Sequence, residues 1–482
     1  MKVDEILKDS QLTASQQIDL LKKQRLNDGT PMVDVVTANK YIDVKEHDVM
    51  NTALRRDKLV TIDDPADIEA EGGTKRVEKV NRIPLSYQNL IISKSVAFLF
   101  GNDVQHTYPA ILTDTQQKIV DAIEKISKAN KISNQNRIFA RTALTYKEAA
   151  EIWYVRKEQN IDYGFKSEFK LKSKILDPNK GYVFYPYYDF DGDLIAFSFS
   201  FSVKEGAKTI QYFETWTADQ QIRWSQNNGT WQLIDGFPVK NEIGKIPIAF
   251  VQLEKYETED VQYLIDRLEK LLSNFADTND YHASPTIVVK GQVKGFAKKG
   301  ETGKILELVE GADAQYMSWS NAPESVRLEI ETLIRMISTI AQSPDISFDS
   351  LKGIGAISGK ALNVLMTDAQ LKVMKQAETF EPFLQRRINI IKAYLKTMNL
   401  SFKTDMDSLY IEPYIIPFSI TNESDKIDLL LKANGNKALI SQKAAMQQAA
   451  MTTNPELDYE QLISEEKGEN KTVADNKDEN VI

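Results

Sequence analysis

Cysteine is absent from the 482 residues, which removes disulfides, thiol nucleophiles and Cys-ligated metals together. Histidine is scarce: His47, His106 and His282 are the three, far apart and without metal-ligand spacing. No run of ~18 apolar residues occurs, so no membrane-spanning helix is expected. No apolar segment follows a basic start, as a secretion signal would require. An excess of positive charge is lacking too. The formal net charge of −9 argues against a broad basic face that grips nucleic acid tightly. A conduit that must let a polyanion slide past is compatible with it. What is present is a globular composition, 42% hydrophobic and 27% charged, long enough for several domains or subdomains.

The stretch from Glu324 to Met398 organises the rest. Val326, Ile330, Leu333, Ile334, Ile337 and Ile340 recur at helical spacing, predicting an amphipathic helix over Glu324–Gln342 that Pro323 and Glu324 start and Ser343-Pro344 stops. From Lys360 to Met398 there is no glycine and one proline, so a long helix is expected, bent near Glu381-Pro382. Between them Ser343–Gly359 reads SPDISFDSLKGIGAISG, longer than the ~12–15 residues beyond which an unstructured connection is usually functional or disordered. Small residues between stiff helices describe a mobile element on a rigid mount.

Taken in order, residues 1–40 predict an arm or peripheral helix pair with apolar clusters at Ile6-Leu7 and Ile18-Leu20-Leu21. Asp63–Thr74 is an acidic loop. Asn81–Gly101 predicts a helix with Pro84 in its first turn and Gly101 as its stop. Thr115–Ala150 predicts more helix. Short aromatic and β-branched runs from Glu151 to about Val251 then predict strands, with a hairpin at Asn227-Asn228-Gly229 and Pro247 at a strand start or edge. Glu259–Tyr281 returns to helix, its face carrying Val261, Leu264, Ile265, Leu268, Leu271, Leu272 and Phe275. A small β unit, Ser284–Ser320, carries Lys290, Lys294, Lys298, Lys299 and Lys304. After the long helix come a strand ending at Phe418, a helix over about Glu423–Ala433, a turn at Asn434-Gly435 and a helix capped by Ser441. The polar tail from Glu465 predicts disorder.

Two motifs invite chemistry and fail its requirements. A phosphate-binding P-loop needs G-x-x-x-x-G-K-[ST] after a strand; here Gly353 is one position too far from Gly359-Lys360, and Ala361 replaces the hydroxyl. Asp189, Asp191 and Asp193 lack the glycine position and later glutamate of a calcium loop, and read as a hairpin turn. No Ser/His/Asp set stands in a recognisable context, so neither enzyme activity nor a cofactor or metal is expected. The lysines of the small β unit read as solvating charges or as a partner surface.

In sequence, these pieces resemble a portal protein of tailed bacteriophages, the head-to-tail connector of siphophages. The resemblance runs from about Asn81 to Glu466, and Ser358-Gly359-Lys360-Ala361-Leu362 are its most family-like residues. It implies an α+β, portal-like subunit: an arm (1–80), a wing of helices then strands (81–258), a stem helix (259–283), a clip (284–320), a second stem helix (321–342), a tunnel loop (343–359), a long wing helix (360–398), a wing strand (399–420), a crown (421–466) and a disordered tail (467–482). It further implies a ring, usually of twelve copies, at one capsid vertex of the virion, assembled in the host cytoplasm. Through it terminase drives double-stranded DNA, which is retained and later ejected into the tail. The implied partners are double-stranded DNA, terminase, a head-completion adaptor, and the major capsid and scaffolding proteins, with no membrane. The tunnel loop would present Ser347, Phe348, Ser350, Lys352, Gly353, Ile354, Gly355 and Ser358 to the DNA, and the clip lysines would meet a partner. The alternatives are an enzyme using the Gly353–Lys360 loop or the Asp189–Asp193 cluster, and a non-viral ring scaffold of similar shape.

Overall fold

In a computed structural model the described residues are 3–27, 32–62, 74–206, 208–227, 229–282, 286–290, 293–295, 307–308, 313–317, 322–345, 366–418, 423–435, 438–449 and 458–465. The chain divides into one unit of Met1–Asp345 with Asp368–Phe418, and a second of Ile346–Thr367 with Ser419–Ile482. Helices and antiparallel sheets mix throughout the first, as the α+β reading requires.

The first unit begins with helices α1 (Val3–Lys8) and α2 (Ala14–Asn27). The helix pair expected here exists, but it closes a core. Val3, Ile6, Ile18 and Leu21 are buried with Tyr185, Phe213, Ile222 and Trp224 of a six-stranded sheet. Arg25 of α2 is buried as well; its Nη2 donates to Glu148 Oε2 at 2.7 Å and its Nη1 to the Phe184 carbonyl at 2.6 Å. A peripheral reading fails because one side of this short polar pair supplies the apolar cover that the sheet face needs.

Helix α3 (Val35–Ile42) follows, capped by Asp34, which accepts from the Thr37 amide. After it His47 is buried against Glu269, with Nδ1 2.7 Å from Glu269 Oε1 and Nε2 3.2 Å from the Tyr41 carbonyl. Both ring nitrogens face acceptors, so the imidazolium satisfies both. Burial opposes that charge, but the hydrogen bond to Glu269 and the glutamate's charge outweigh it and raise the pKa above the ordinary 6.5. Asp266, itself pushed upward chiefly by burial, adds to the acidic surroundings, and Asp48 beyond it pairs with Lys40. A raised histidine pKa means that the stabilisation is complete below pH 6.5 and is lost as pH rises through the folded value. We expect the melting-temperature advantage over His47→Gln to be largest below pH 6.5 and to shrink above it. A pH-independent difference would show that folding leaves the histidine pKa unshifted, and an advantage that falls below pH 6.5 would show the ring held neutral.

Helix α4 (Tyr87–Phe100) starts six residues later than Asn81, so Pro84 precedes it. Gly101 does end it, though in right-handed backbone; a Cβ there would lie 2.3 Å from the Ala97 carbonyl and 3.0 Å from the Phe418 ring. The helical run after it is two helices, α5 (Asp114–Ala129) and α6 (Ile132–Tyr146), broken where Lys131 takes φ 52°. Thr113 and Gln116 form a full capping box on α5.

Strand structure begins at Glu148, three residues earlier than expected, because Lys147 (φ 66°) ends α6. The strand Glu148–Asn160 lies between Ile248–Gln252 and Ser167–Leu176 in a three-stranded sheet. Pro247 sits just before an edge strand, where its missing N–H costs no ladder bond. The other edge, Ser167–Leu176, is blocked by side chains. Asn130 donates to the Leu171 carbonyl at 3.0 Å and accepts from the Ser173 amide at 3.1 Å, while the Leu171 amide donates to the Tyr163 hydroxyl at 3.1 Å.

The helix pair bracketing the small β unit is α7 (Gln262–His282) and α8 (Ala322–Ile340). They bury Val261, Ile265, Leu268, Leu271, Leu333 and Ile337 with Ile91 of α4, so the expected apolar faces meet. Ile340 is the exception. It stands 46% exposed, and Ala341 takes its place in the core. Arg267 links the two helices through Glu329 at 2.7 Å. Between them Thr286–Lys290 pairs with Asp313–Met317, and Val293–Gly295 with Glu307–Leu308.

Helix α9 (Thr367–Met398) runs unbroken past Pro382. Residues 360–365, where the sequence predicts its start, lie outside the described residues. Its second half is fixed by a buried fork: Arg387 donates from Nε and Nη2 to the two oxygens of Glu151, both at 2.8 Å, and from Nη1 to Asn136 at 2.6 Å. Phe383 stacks on Phe139 with centroids 4.0 Å apart. The strand expected to end at Phe418 is shorter, Glu412–Tyr414, paired with Gln105–Thr107. In the second unit the helices Glu423–Asn434 and Gln442–Ala449 fall where expected, and Ser441 Oγ accepts from the Ala444 amide.

Candidate functional site

Ser347, Phe348, Ser350, Lys352, Gly353, Ile354, Gly355 and Ser358 lie outside the described residues, so the site is built from what flanks them in the first unit. On one side is the end of α8. The Gln342 amide donates to the Thr339 carbonyl at 3.1 Å and the Ser343 amide to the Ser338 carbonyl at 2.9 Å, with Gln342 at φ 48°. That is a Schellman stop, normally built on glycine, here formed by a residue for which left-handed backbone is costly. Something outside the helix must hold it.

Two lysines do. Lys372 of α9 donates to the Ala341 carbonyl at 2.7 Å, placing a cation at the negative end of the α8 dipole. Lys94 of α4 donates to the Pro344 carbonyl at 2.7 Å. Burial lowers the Lys94 pKa below the ordinary lysine value, while the Asp345 charge acts the other way. Glu257 ties these helices together. It forms an ion pair with Lys372, accepts from Ser95 of α4 at 2.6 Å, and accepts from Gln376 of α9 at 3.3 Å. The pair is largely shielded, with 13% of the Lys372 side chain and 9% of that of Glu257 exposed. The α9 flank of the segment that bears the loop residues is thus tied to this carboxylate directly, and the α8 flank through Lys372. The arrangement is suited to resisting a pull.

The two motifs weighed for chemistry fare differently. At Asp189–Asp193 the Asp189 carboxylate accepts from the amides of Asp191 at 3.0 Å and Asp193 at 2.8 Å, and Gly192 takes φ 87°. It is a hairpin turn between the strands Val183–Tyr188 and Leu194–Glu205. Among the described residues no group of three or more His, Cys, Asp or Glu is arranged to hold a metal. The Gly353–Lys360 loop lies outside them.

Of the five lysines of the small β unit, Lys290 is exposed at a strand end opposite Asp313, and Lys294 lies within the short strand Val293–Gly295. Lys298, Lys299 and Lys304 are outside the described residues. Sequence reasoning misses Lys94, Ser95, Glu257, Lys372 and Gln376. Each sits in a segment whose periodicity marks helix or loop, and only the tertiary fold joins residue 257 to residue 372.

The family described as phage portal protein, SPP1 Gp6-like, matches residues 34–472. The match reaches further toward the N-terminus than Asn81 and leaves α1 and α2 outside it. No curated protein matches the chain. Among solved structures, a chain in the neck of an empty GTA particle computed with C6 symmetry is 11% identical at TM-score 0.41, over 76% of this chain and 89% of that one. A chain in the virion of a native gene transfer agent particle is 10% identical at TM-score 0.39, over 76% of this chain and 88% of that one.

Proposed function

We propose, from the premise that this chain belongs to the phage portal protein family of the SPP1 Gp6-like type, that the segment carried on this loop mount works as the moving part of a DNA channel. Family membership over residues 34–472 makes the chain a structural virion protein, a subunit of the ring that forms the channel at a capsid vertex. Within that frame the finer reading is ours. Helices α7 and α8 form the stem, the small β unit the clip, α9 the long wing helix, and the helices after Glu423 the crown. Twelve such subunits, assembled in the host cytoplasm, pass double-stranded DNA driven by terminase and hold it until ejection into the tail. Lys290, Lys294, Lys298, Lys299 and Lys304 face the adaptor or terminase, and capsid and scaffolding proteins surround the ring.

The observation that carries the loop's role is the Glu257 cluster. A segment that only connected two helices would not need one flank tied directly to a shielded carboxylate and the other tied to it through Lys372. A segment pushed by a translocating polymer would, because force on it would otherwise unwind the ends of α8 and α9. Small residues at 353–358 follow the polymer, and Lys352 touches passing phosphates. Deleting Lys352–Gly355 is expected to leave rings intact in negative-stain images while packaged or retained DNA falls severalfold. Loss of ring assembly would make the segment an assembly element and overturn the reading. A purified wild-type chain that stays monomeric and turns over nucleotide would reject the channel altogether.

A further inference from the structure

Phe190 stands at the tip of the Asp189–Asp193 hairpin with 102% relative exposure, the most exposed large apolar side chain among the described residues. The turn that carries it is closed, since the Asp189 carboxylate accepts from two of its amides. Three exposed carboxylates, Asp189, Asp191 and Asp193, surround it. An aromatic ring held fully out in water, on a stiff turn inside an acidic collar, is unspent apolar surface.

The same unit carries a matching cleft. Between α5, α6 and α9 lies a pocket of about 430 Å³, with Ile123, Leu384, Ile388 and Ile391 on its walls and exposed Lys128 and Lys131 at its mouth. An apolar cavity of ~150 Å³ accepts a benzene ring, so a phenyl side chain has room. The charge of the surroundings is distinctive. Between Asp114 and Tyr146 six basic residues (Lys118, Lys125, Lys128, Lys131, Arg137, Arg141) stand against three acidic ones (Asp114, Asp121, Glu124), in a chain whose net charge is −9. Asp103 and Glu124, also exposed, line the pocket with the two lysines, so the basic excess lies in the helices around it rather than in the lining itself.

We propose that Phe190 of one subunit seats in the α5–α6–α9 pocket of the next copy, with Asp191 and Asp193 against Lys128 and Lys131. The inference rests on the ring reading above, because a closed head-to-tail ring needs two different, complementary patches on each subunit. It adds which patches they are. A buried aromatic anchor filling a pocket is a common form of interface hot spot, and complementary charge around it helps to fix which copy's tip enters which mouth.

The absence of cysteine makes the test clean. The variant Asp191→Cys with Lys131→Cys, oxidised in assembled rings, is expected to give a ladder of covalent multimers up to the full ring on denaturing gels. Each single-cysteine variant should give none. Phe190→Ala should leave the melting temperature essentially unchanged while raising the concentration needed for assembly by about tenfold or more, as loss of a hot-spot anchor does. Reversing Lys128 and Lys131 to Asp should impair assembly in the same way, and adding Asp191→Lys and Asp193→Lys should restore it. Intact rings that give no ladder and tolerate Phe190→Ala would overturn the proposal and leave the ring reading standing. A wild-type chain that forms no ring under any condition removes the ring reading itself. Cross-linking to an added acidic protein, without multimers of this chain, would assign the pocket to a foreign partner and overturn the proposal.

Discussion

Arg387→Met lowers the stability of the first unit by about 3–5 kcal/mol, the expected cost of leaving a buried carboxylate without its cation. Glu151 is fully buried and Arg387 is 3% exposed, so the pair lies out of bulk water. Trp153 Nε1 still donates to Glu151, and that one bond does not hold a charge in an apolar setting. The double variant Arg387→Met with Glu151→Gln should recover part of the loss, since no net charge then remains buried. Urea unfolding reads both as shifts in midpoint at unchanged slope. A change under ~0.5 kcal/mol in the single variant would mean that the fork sets the helix position without stabilising it. The site matters because this fork joins α9 to the central strand of the three-stranded sheet. It fixes the helix whose other end holds the loop mount.

Lys372→Met is the second large effect, expected at about 2–4 kcal/mol, below a fully buried pair because both side chains keep slight exposure. It removes the counter-ion of Glu257 and the donor to the Ala341 carbonyl together. The specific signature is local. Amide exchange at Gln342 and Ser343, whose N–H groups close the Schellman stop, should accelerate well beyond that of the α8 interior. Gln342→Gly in the same background should restore part of the protection, because glycine takes left-handed backbone without strain. Uniform acceleration along α8 would show instead that Lys372 contributes only global stability.

Apolar spacing makes much of this architecture legible in the sequence. The stripes on α7 and α8 meet as their periodicity requires, and Ser441 caps the helix it precedes. Asn227–Gly229 joins the paired strands Gln220–Asn227 and Thr230–Leu233, as its turn chemistry predicts. The departures have physical causes. Ile340 has the stripe's spacing but lies two residues before Gln342, whose left-handed backbone ends the helix and leaves Ala341 in the core in its place. Pro382 is no departure, because the long helix expected to continue past it does so. Phe380 and Phe383 on either side of it are buried against Phe139, and that packing offsets one missing backbone bond. The loop mount is not legible at all. Lys94, Glu257 and Lys372 carry no local pattern and meet only once three segments have folded together.

The blocked strand edge has a consequence for life in a crowd. Asn130 and Tyr163 occupy the hydrogen-bonding groups that Leu171 and Ser173 would otherwise offer to any passing strand. Identical chains held shoulder to shoulder are under constant temptation to zip into continuous cross-strand stacks. At Leu171 and Ser173 an amide and a phenol already stopper one such edge, which leaves a neighbouring copy fewer free groups there to pair with.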